Sequence, residues 1–341
     1  MSDINLSSRL KPLMQRGCDF LGTHLAIMGG AMSWISERHL VGAISNAGGF
    51  GVLACGSMDP ALLRAEIQET QKITRLPFGV NLITMHPQLD ELIDVCLEVK
   101  VSHIVLAGGI PSAPAIKRIK EGGTKLIWFT PALSLGKRLV KMGADALVIE
   151  GMEAGGHIGP VCTSVLSQEV LPHLAEQVPI FVAGGIGRGE TMVSYLEMGA
   201  AGVQLGTLFV CAKECIAHAN FKKAFIRAPA RDAIPTTQLD PRFPVIPVRA
   251  LVNEGTKLFL EKQREVIAQF DTSKLSKEEA QLEIEKFWAG ALRSAVIDGD
   301  TKNGSVMAGQ IVGLIKEELP VREILENLIG QSEQSLLHRE L

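Results

Sequence analysis

The chain runs to 341 residues and carries 34 basic against 37 acidic side chains, a formal net charge of -3. That balance argues against a general nucleic-acid or membrane-surface binder, which carries a basic excess. Thirty-four glycines stand in a chain that is 46% hydrophobic; with no Gly-X-Y period this is not collagen, and with so much apolar sequence it is not disordered.

Eight short apolar runs follow one another along the chain, at residues 25–28, 51–53, 78–82, 103–106, 126–129, 146–149, 180–183 and 202–205. Each is apolar throughout rather than alternating, as strands covered on both faces of a parallel sheet are. Helical signals lie between them. Asp59-Pro60 pairs an N-cap with proline at the first helical position, ahead of Leu62, Leu63 and Ile67. Gly143 and Gly199 each stop a helix just before a strand. Eight strand–helix units predict a TIM (β/α)8 barrel over residues 1–211. A doubly wound sheet is the rival, but the nearest G-x-G-x-x-G match, at Gly49 and Gly51, precedes a strand instead of following one.

Past residue 211 the chain changes character. Residues 212–304 are richer in charge and proline and read as a mainly helical insertion or cap. Within it, the stretch from Asp232 to Val248 holds Pro235, Pro241, Pro244 and Pro247 and reads as an extended loop. The next stretch is charged and helical, with Leu258, Leu260, Val266, Phe270, Ile284 and Phe287 as apolar anchors. Residues 305–341 return to the barrel through a glycine-rich segment and end in an amphipathic helix near residues 311–329. The six cysteines form no C-x-x-C pair, which predicts buried, reduced thiols. The longest uncharged run, residues 40–58, is too glycine-rich to span a bilayer, and no signal peptide is visible. A cytoplasmic protein is expected.

In such a barrel the loops after the strands form the active face, and the glycines collect there. Gly184 and Gly185 follow the seventh run; Gly206 and Thr207 follow the eighth. Backbone N–H groups bared by glycine, beside a helix N-terminus, suit a phosphate. The loop after the sixth run, residues 150–159, sets Glu150, Glu153 and His157 among Gly151, Gly155, Gly156 and Gly159. A histidine at a strand's C-terminal end can act as general acid or base near neutral pH. Asn81 and Gln204 bring uncharged polar groups to the same mouth, suited to a planar heterocycle or its ribityl chain, or else to capping turns. No metal-ligand spacing, G-x-S-x-G or Walker A pattern occurs.

These stretches, with Val182-Ala183-Gly184-Gly185-Ile186, Val203-Gln204-Leu205-Gly206-Thr207 and Ser305-Val306-Met307-Ala308-Gly309-Gln310, resemble the nitronate monooxygenase family, also called 2-nitropropane dioxygenases. That family includes the FMN-dependent enoyl-acyl-carrier-protein reductases, and the resemblance covers nearly the whole chain. It implies FMN at the barrel mouth, with Gly30, Ala31 and Met32 beside the flavin ring and Asn81 and Glu150 contacting the cofactor. Gly184, Gly185, Gly206 and Thr207 would hold the phosphate, Gln204 would flank it, Gly155 and Gly156 would line the site, and His157 would be catalytic.

Two reactions follow from the resemblance. One is oxidation of an alkyl nitronate with O2. The other is reduction of an enoyl thioester by NADH or NADPH. Gly109-Ile110-Pro111 stands where the reductases usually have Gly-Asn-Pro, Leu208 where they have arginine, and Gly29 where they have glutamine. Nitronate oxidation asks less of these positions and is placed first. Reduction would add an acidic carrier protein as partner, for which Lys222, Lys223, Arg227 and Arg231 offer a basic surface. Neither nucleic acid nor membrane is expected as a partner; a second copy of the chain is.

Overall fold

The computed structural model describes residues 4–243 and 247–339, so Pro244 lies outside the described residues. All eight apolar runs form parallel strands: β1 (Ile27–Gly29), β2 (Val52–Ala54), β3 (Gly79–Ile83), β4 (His103–Ala107), β5 (Lys125–Thr130), β6 (Ala146–Glu150) and, after a two-residue strand β7 (Gly156–His157) outside the barrel, β8 (Ile180–Ala183) and β9 (Gly202–Leu205). Their order is β1-β9-β8-β6-β5-β4-β3-β2, and a parallel bridge between Met28 and Phe50 joins the two ends. The sheet is therefore closed into a TIM barrel.

Inward and outward side chains alternate along each strand. Met28, Phe50, Val52, Val105, Ile127, Val148, Phe181 and Ala183 pack together inside the barrel. Residues such as Ile27, Leu53, Leu82, Ile104, Leu147 and Val182 face out, into the layer shared with the helices. Both faces are thus apolar, which is why the runs do not alternate in sequence. The helices start where the local chemistry says they should. Asp59 accepts from the N–H of Leu62 at 2.8 Å to open Pro60–Ile73, and Ser112 accepts from that of Ala115 to open Ala113–Glu121.

The chain departs from expectation in four places, three of them past the barrel strands. The proline-rich stretch contains strand β10 (Ala233–Pro235) and leads into β11 (Val248–Leu251); with β7 they form a three-stranded antiparallel sheet. In the following helix, Glu254–Asp271, Leu258 is exposed, and Phe259 instead joins Val266 and Ile284 in the insertion's own core. The last helix is Val321–His338, behind a short 3-10 turn at Gln310–Leu314. Pro320 sets that boundary, since the residue before a proline is pushed out of helical geometry. Cys162 is exposed rather than buried. Among the described residues no helix is long and apolar enough to cross a membrane.

Candidate active site

Register decides which polar groups share the barrel interior. Glu150 pairs with Ala183, Ala183 with Gln204, and Gln204 with Met28. Neighbours across a sheet share a face, and Met28 and Ala183 point inward. Asn81 pairs with the inward Val105. Asn81, Glu150 and Gln204 therefore crown one interior, at the C-terminal ends of β3, β6 and β9.

Their bonding is incomplete. Asn81 is buried and donates its amide to Val105 O at 3.1 Å. Gln204 is 7% exposed, yet among the described residues its amide has no hydrogen-bond partner. Glu150 likewise has no ion pair or hydrogen bond to its carboxylate among the described residues. Burial alone pushes its pKa up from 4.5 to about 8. A buried polar group with no protein partner is uncommon, and two strand ends supplying such groups beside Asn81 mark a binding site.

The glycine pairs ring this interior. Gly184 and Gly185, just past β8, hold φ values of +93° and +73°. Side-chain-bearing residues avoid that region. Their N–H groups, and that of Gly206 past β9, have no protein acceptor among the described residues. Gly30 lies against Gln204, a Cβ there falling 3.6 Å from its amide nitrogen, and Gly206 lies as close to the sulfur of Met32. Ala31 packs against the inward cluster. The structure thus gathers Gly30, Ala31, Met32, Asn81, Glu150, Gly184, Gly185, Gln204, Gly206 and Thr207 around one mouth.

The loop from Glu150 to His157 is pinned from several sides. The Glu153 carboxylate accepts from the Thr163 N–H at 2.8 Å and its hydroxyl at 2.7 Å, so it caps the helix Thr163–Leu174. The returning segment crosses close by. The Gly309 N–H donates to Thr207 Oγ1 at 3.0 Å, and Gln310 N–H to Glu153 O at 3.0 Å. A Cβ on Gly155 would meet Gly309 N at 2.5 Å, so only glycine fits there. His157 stands apart from the inward trio. It is exposed, and in the β7–β11 pairing it lies opposite Val248, on the face that Val248 turns to the insertion's core.

Sequence reading missed Arg249. It is 2% exposed, lies opposite Gly156, and donates Nε to Met152 O at 2.9 Å and a terminal nitrogen to Ala233 O. Its signal was there: one arginine inside an apolar run, Val248 to Val252. Lys222 corrects the proposed basic surface. It is 5% exposed, and its ammonium donates to Ala212 O at 2.7 Å and pairs with Glu318 at 3.0 Å. Only Lys223, Arg227 and Arg231 are exposed, and Arg231 faces Asp232 at 3.8 Å.

The chain is similar over nearly its whole length to proteins of known kind. FabK from Thermotoga maritima superposes with a TM-score of 0.85 and 35% identity, covering 95% of this chain and 98% of that one. An octahydroindene-carboxyl-CoA dehydrogenase from Mycobacterium tuberculosis is 28% identical over 91% of this chain and 94% of its own length. A nitronate monooxygenase from Paraburkholderia phytofirmans is 26% identical over 93% of this chain and 94% of its own. The family model for nitronate monooxygenase matches residues 15–93 and 83–331. The chain belongs to the nitronate monooxygenase family, and it is an oxidoreductase of that family.

Proposed function

We propose that this protein is an FMN-dependent oxidoreductase of acyl thioesters, reducing an enoyl thioester with NADH or NADPH. One observation carries the choice of substrate: the 35% identity with FabK, an enoyl reductase, over 95% of the chain. The relative from Mycobacterium tuberculosis is named for a coenzyme A thioester, which supports the same class.

The donor set fits FMN. Gly184, Gly185 and Gly206 offer unpaired N–H groups to a phosphate, and the open dipole ends of the Thr207–Val210 turn add to them. Asn81, Gln204 and Glu150 offer an amide, an amide and a protonated carboxyl to the polar edge of a flavin or its ribityl chain. A neutral Glu150 can donate a hydrogen bond where an ionised one could only accept. Bound there, FMN supplies two-electron transfer from the reduced nicotinamide to the C2=C3 bond of the thioester.

The rest of the chemistry belongs to the chain. One electron pair and one proton reach C3; a second proton must reach C2. His157, carried on the loop past β6, is the group assigned to supply it in this reading, because an imidazole can exchange a proton near neutral pH. The loop that carries it is fixed by the Glu153 contact to Thr163 and by the close approach of Gly155 to Gly309. A free coenzyme A thioester suits the surface better than a carrier protein, since Lys222 is withdrawn from the basic patch.

Nitronate oxidation is the second reading, favoured by the family model and by the relative from Paraburkholderia phytofirmans. Anaerobic stopped-flow of the yellow holoprotein separates the two. Flavin bleaching by NADH or NADPH, then recovery on adding crotonyl-CoA, is expected. Bleaching by an alkyl nitronate with no response to either nicotinamide would overturn the thioester reading. His157→Ala should keep its flavin and lose turnover; loss of flavin in that variant would make His157 structural.

A further inference from the structure

We propose that Arg249 is the positioning residue of the His157 loop, and that the insertion's task is to hold this loop in its working shape rather than only to cover the mouth. The inference rests on the reading that His157 acts in the reaction.

The geometry is specific. Strand β11 enters from the insertion and pairs with β7, Val248 opposite His157 and Arg249 opposite Gly156. The Ile158 N–H donates to Pro247 O at 3.0 Å, so the pairing continues past His157. The Arg249 side chain then turns back under the same loop. Its Nε donates to Met152 O at 2.9 Å, five residues before His157, while its terminal nitrogen donates to Ala233 O in β10. Its own carbonyl accepts from Ala308 N–H at 3.3 Å, in the returning segment. One buried residue therefore ties both arms of the His157 loop to β10 and to the segment after the insertion.

Arginine is the residue type this junction needs. The two acceptors are main-chain carbonyls on different segments, and a rigid planar fork spans them at fixed angles. Lysine, a point donor on a flexible stem, cannot hold both. Among the described residues no carboxylate lies within ion-pair distance of the guanidinium. Carbonyl dipoles and the more distant Glu153 are what offset its buried charge. A buried cation without a paired carboxylate is rare in a core, and retaining one points to a geometric role.

The test uses the full-length protein with Arg249→Met, Arg249→Lys and, as a control, Val266→Ala. Val266 is buried in the insertion's own core, so its variant shows how much loop exchange a general loosening of the insertion produces. Amide hydrogen exchange of the flavin-free protein is the first readout. Both Arg249 variants are expected to exchange at least about tenfold faster over residues 151–158, with the helix Thr163–Leu174 unchanged. In the holoprotein, kcat should fall by about tenfold or more while KM and FMN affinity stay within about threefold. Lysine should not rescue, because charge is not what the site reads. Loop exchange no faster than in Val266→Ala would overturn the proposal, and so would fast loop exchange with unchanged kcat. If the wild-type holoprotein turns over no thioester, the functional reading fails. Loop exchange and the turnover of nitronate then decide the role of Arg249.

Discussion

The two ends of one barrel are built on opposite rules. At the floor, where the strands begin, His103 and Lys125 find their partners within the protein. His103 sits between the rings of Phe20 and Phe50, at 5.2 and 4.8 Å, with Nε2 3.1 Å from Phe20 O and Nδ1 2.9 Å from Ser102 Oγ. Lys125 lies over the Phe20 ring at 4.9 Å and donates to Phe20 O. At the mouth, Glu150 and Gln204 are enclosed without partners, and bare N–H groups line the glycine turns. The same parallel strands run through both. The floor is closed by the protein itself, whereas the mouth leaves its bonding capacity for something the chain does not contain. That difference is what a site looks like before its ligand arrives.

The largest break in the comparison should come from the floor. Phe181 is fully buried and packs against Phe20 and the Gly202 backbone. Phe181→Ala should cost about 3–5 kcal/mol of stability in urea unfolding. FMN affinity should be nearly unchanged, as judged by flavin fluorescence at a temperature where the variant is folded. A variant that loses flavin in proportion to stability would mean the two ends are not separable.

The pH dependence of the flavin-free protein should show both ends at once, with opposite signs. Burial pulls His103 down from 6.5 to about 4. The unfolded chain takes up this proton first, so stability is lost as pH falls from about 6.5 through 4, by about 3 kcal/mol. Burial pushes Glu150 up from 4.5 to about 8. Here the folded state holds the proton longer, so its contribution is present below 4.5 and is lost as pH rises through 8, by about 5 kcal/mol. Melting temperature against pH should therefore fall on both limbs. Glu150→Gln should flatten the alkaline limb and leave the acid one. An alkaline limb unchanged in that variant would remove Glu150 as its cause.

Most of this contrast is legible in the sequence, for a physical reason. Strands buried on both faces are written as unbroken apolar runs, and glycines after them mark turns that a side chain would obstruct. Asn81, Glu150 and Gln204 stand out as polar residues at the ends of those runs. What could not be read depends on contacts far apart in the chain. The ammonium of Lys222 reaches Glu318, so a run that looks like a basic surface is partly interior. Arg249 spends its donors on carbonyls, which every residue carries, so no partner residue type announces the contact. The helix start at Val321, by contrast, is written locally in Pro320, later than the apolar spacing alone suggests.

A smaller effect tests the glycine turns. Gly185 has φ of +73°, and a Cβ there would lie 3.2 Å from Glu153 Cβ. Gly185→Ala should cost about 1–2 kcal/mol, part in stability and part in FMN affinity, because an L-residue disfavours that backbone region. Isothermal titration with FMN and with riboflavin, which lacks the phosphate, locates the loss. Equal weakening of both would place Gly185 away from the phosphate.

The smallest change in stability is expected where the mouth differs most from the floor. Gln204→Met removes a buried amide that has no protein partner, at similar volume and in a cavity lined by Met28 and Ala183. No protein hydrogen bond is broken, and a group costly to leave unpaired is gone. The flavin-free protein should thus be unchanged or stabilised, within about 1 kcal/mol. FMN binding should weaken by about 1 kcal/mol, the size of one ordinary hydrogen bond. A floor residue trimmed this way loses stability and keeps its ligand; a mouth residue should do the reverse. If Gln204→Met melts early and binds FMN as before, its amide has a protein partner, and the division between a satisfied floor and an unsatisfied mouth does not hold at that strand.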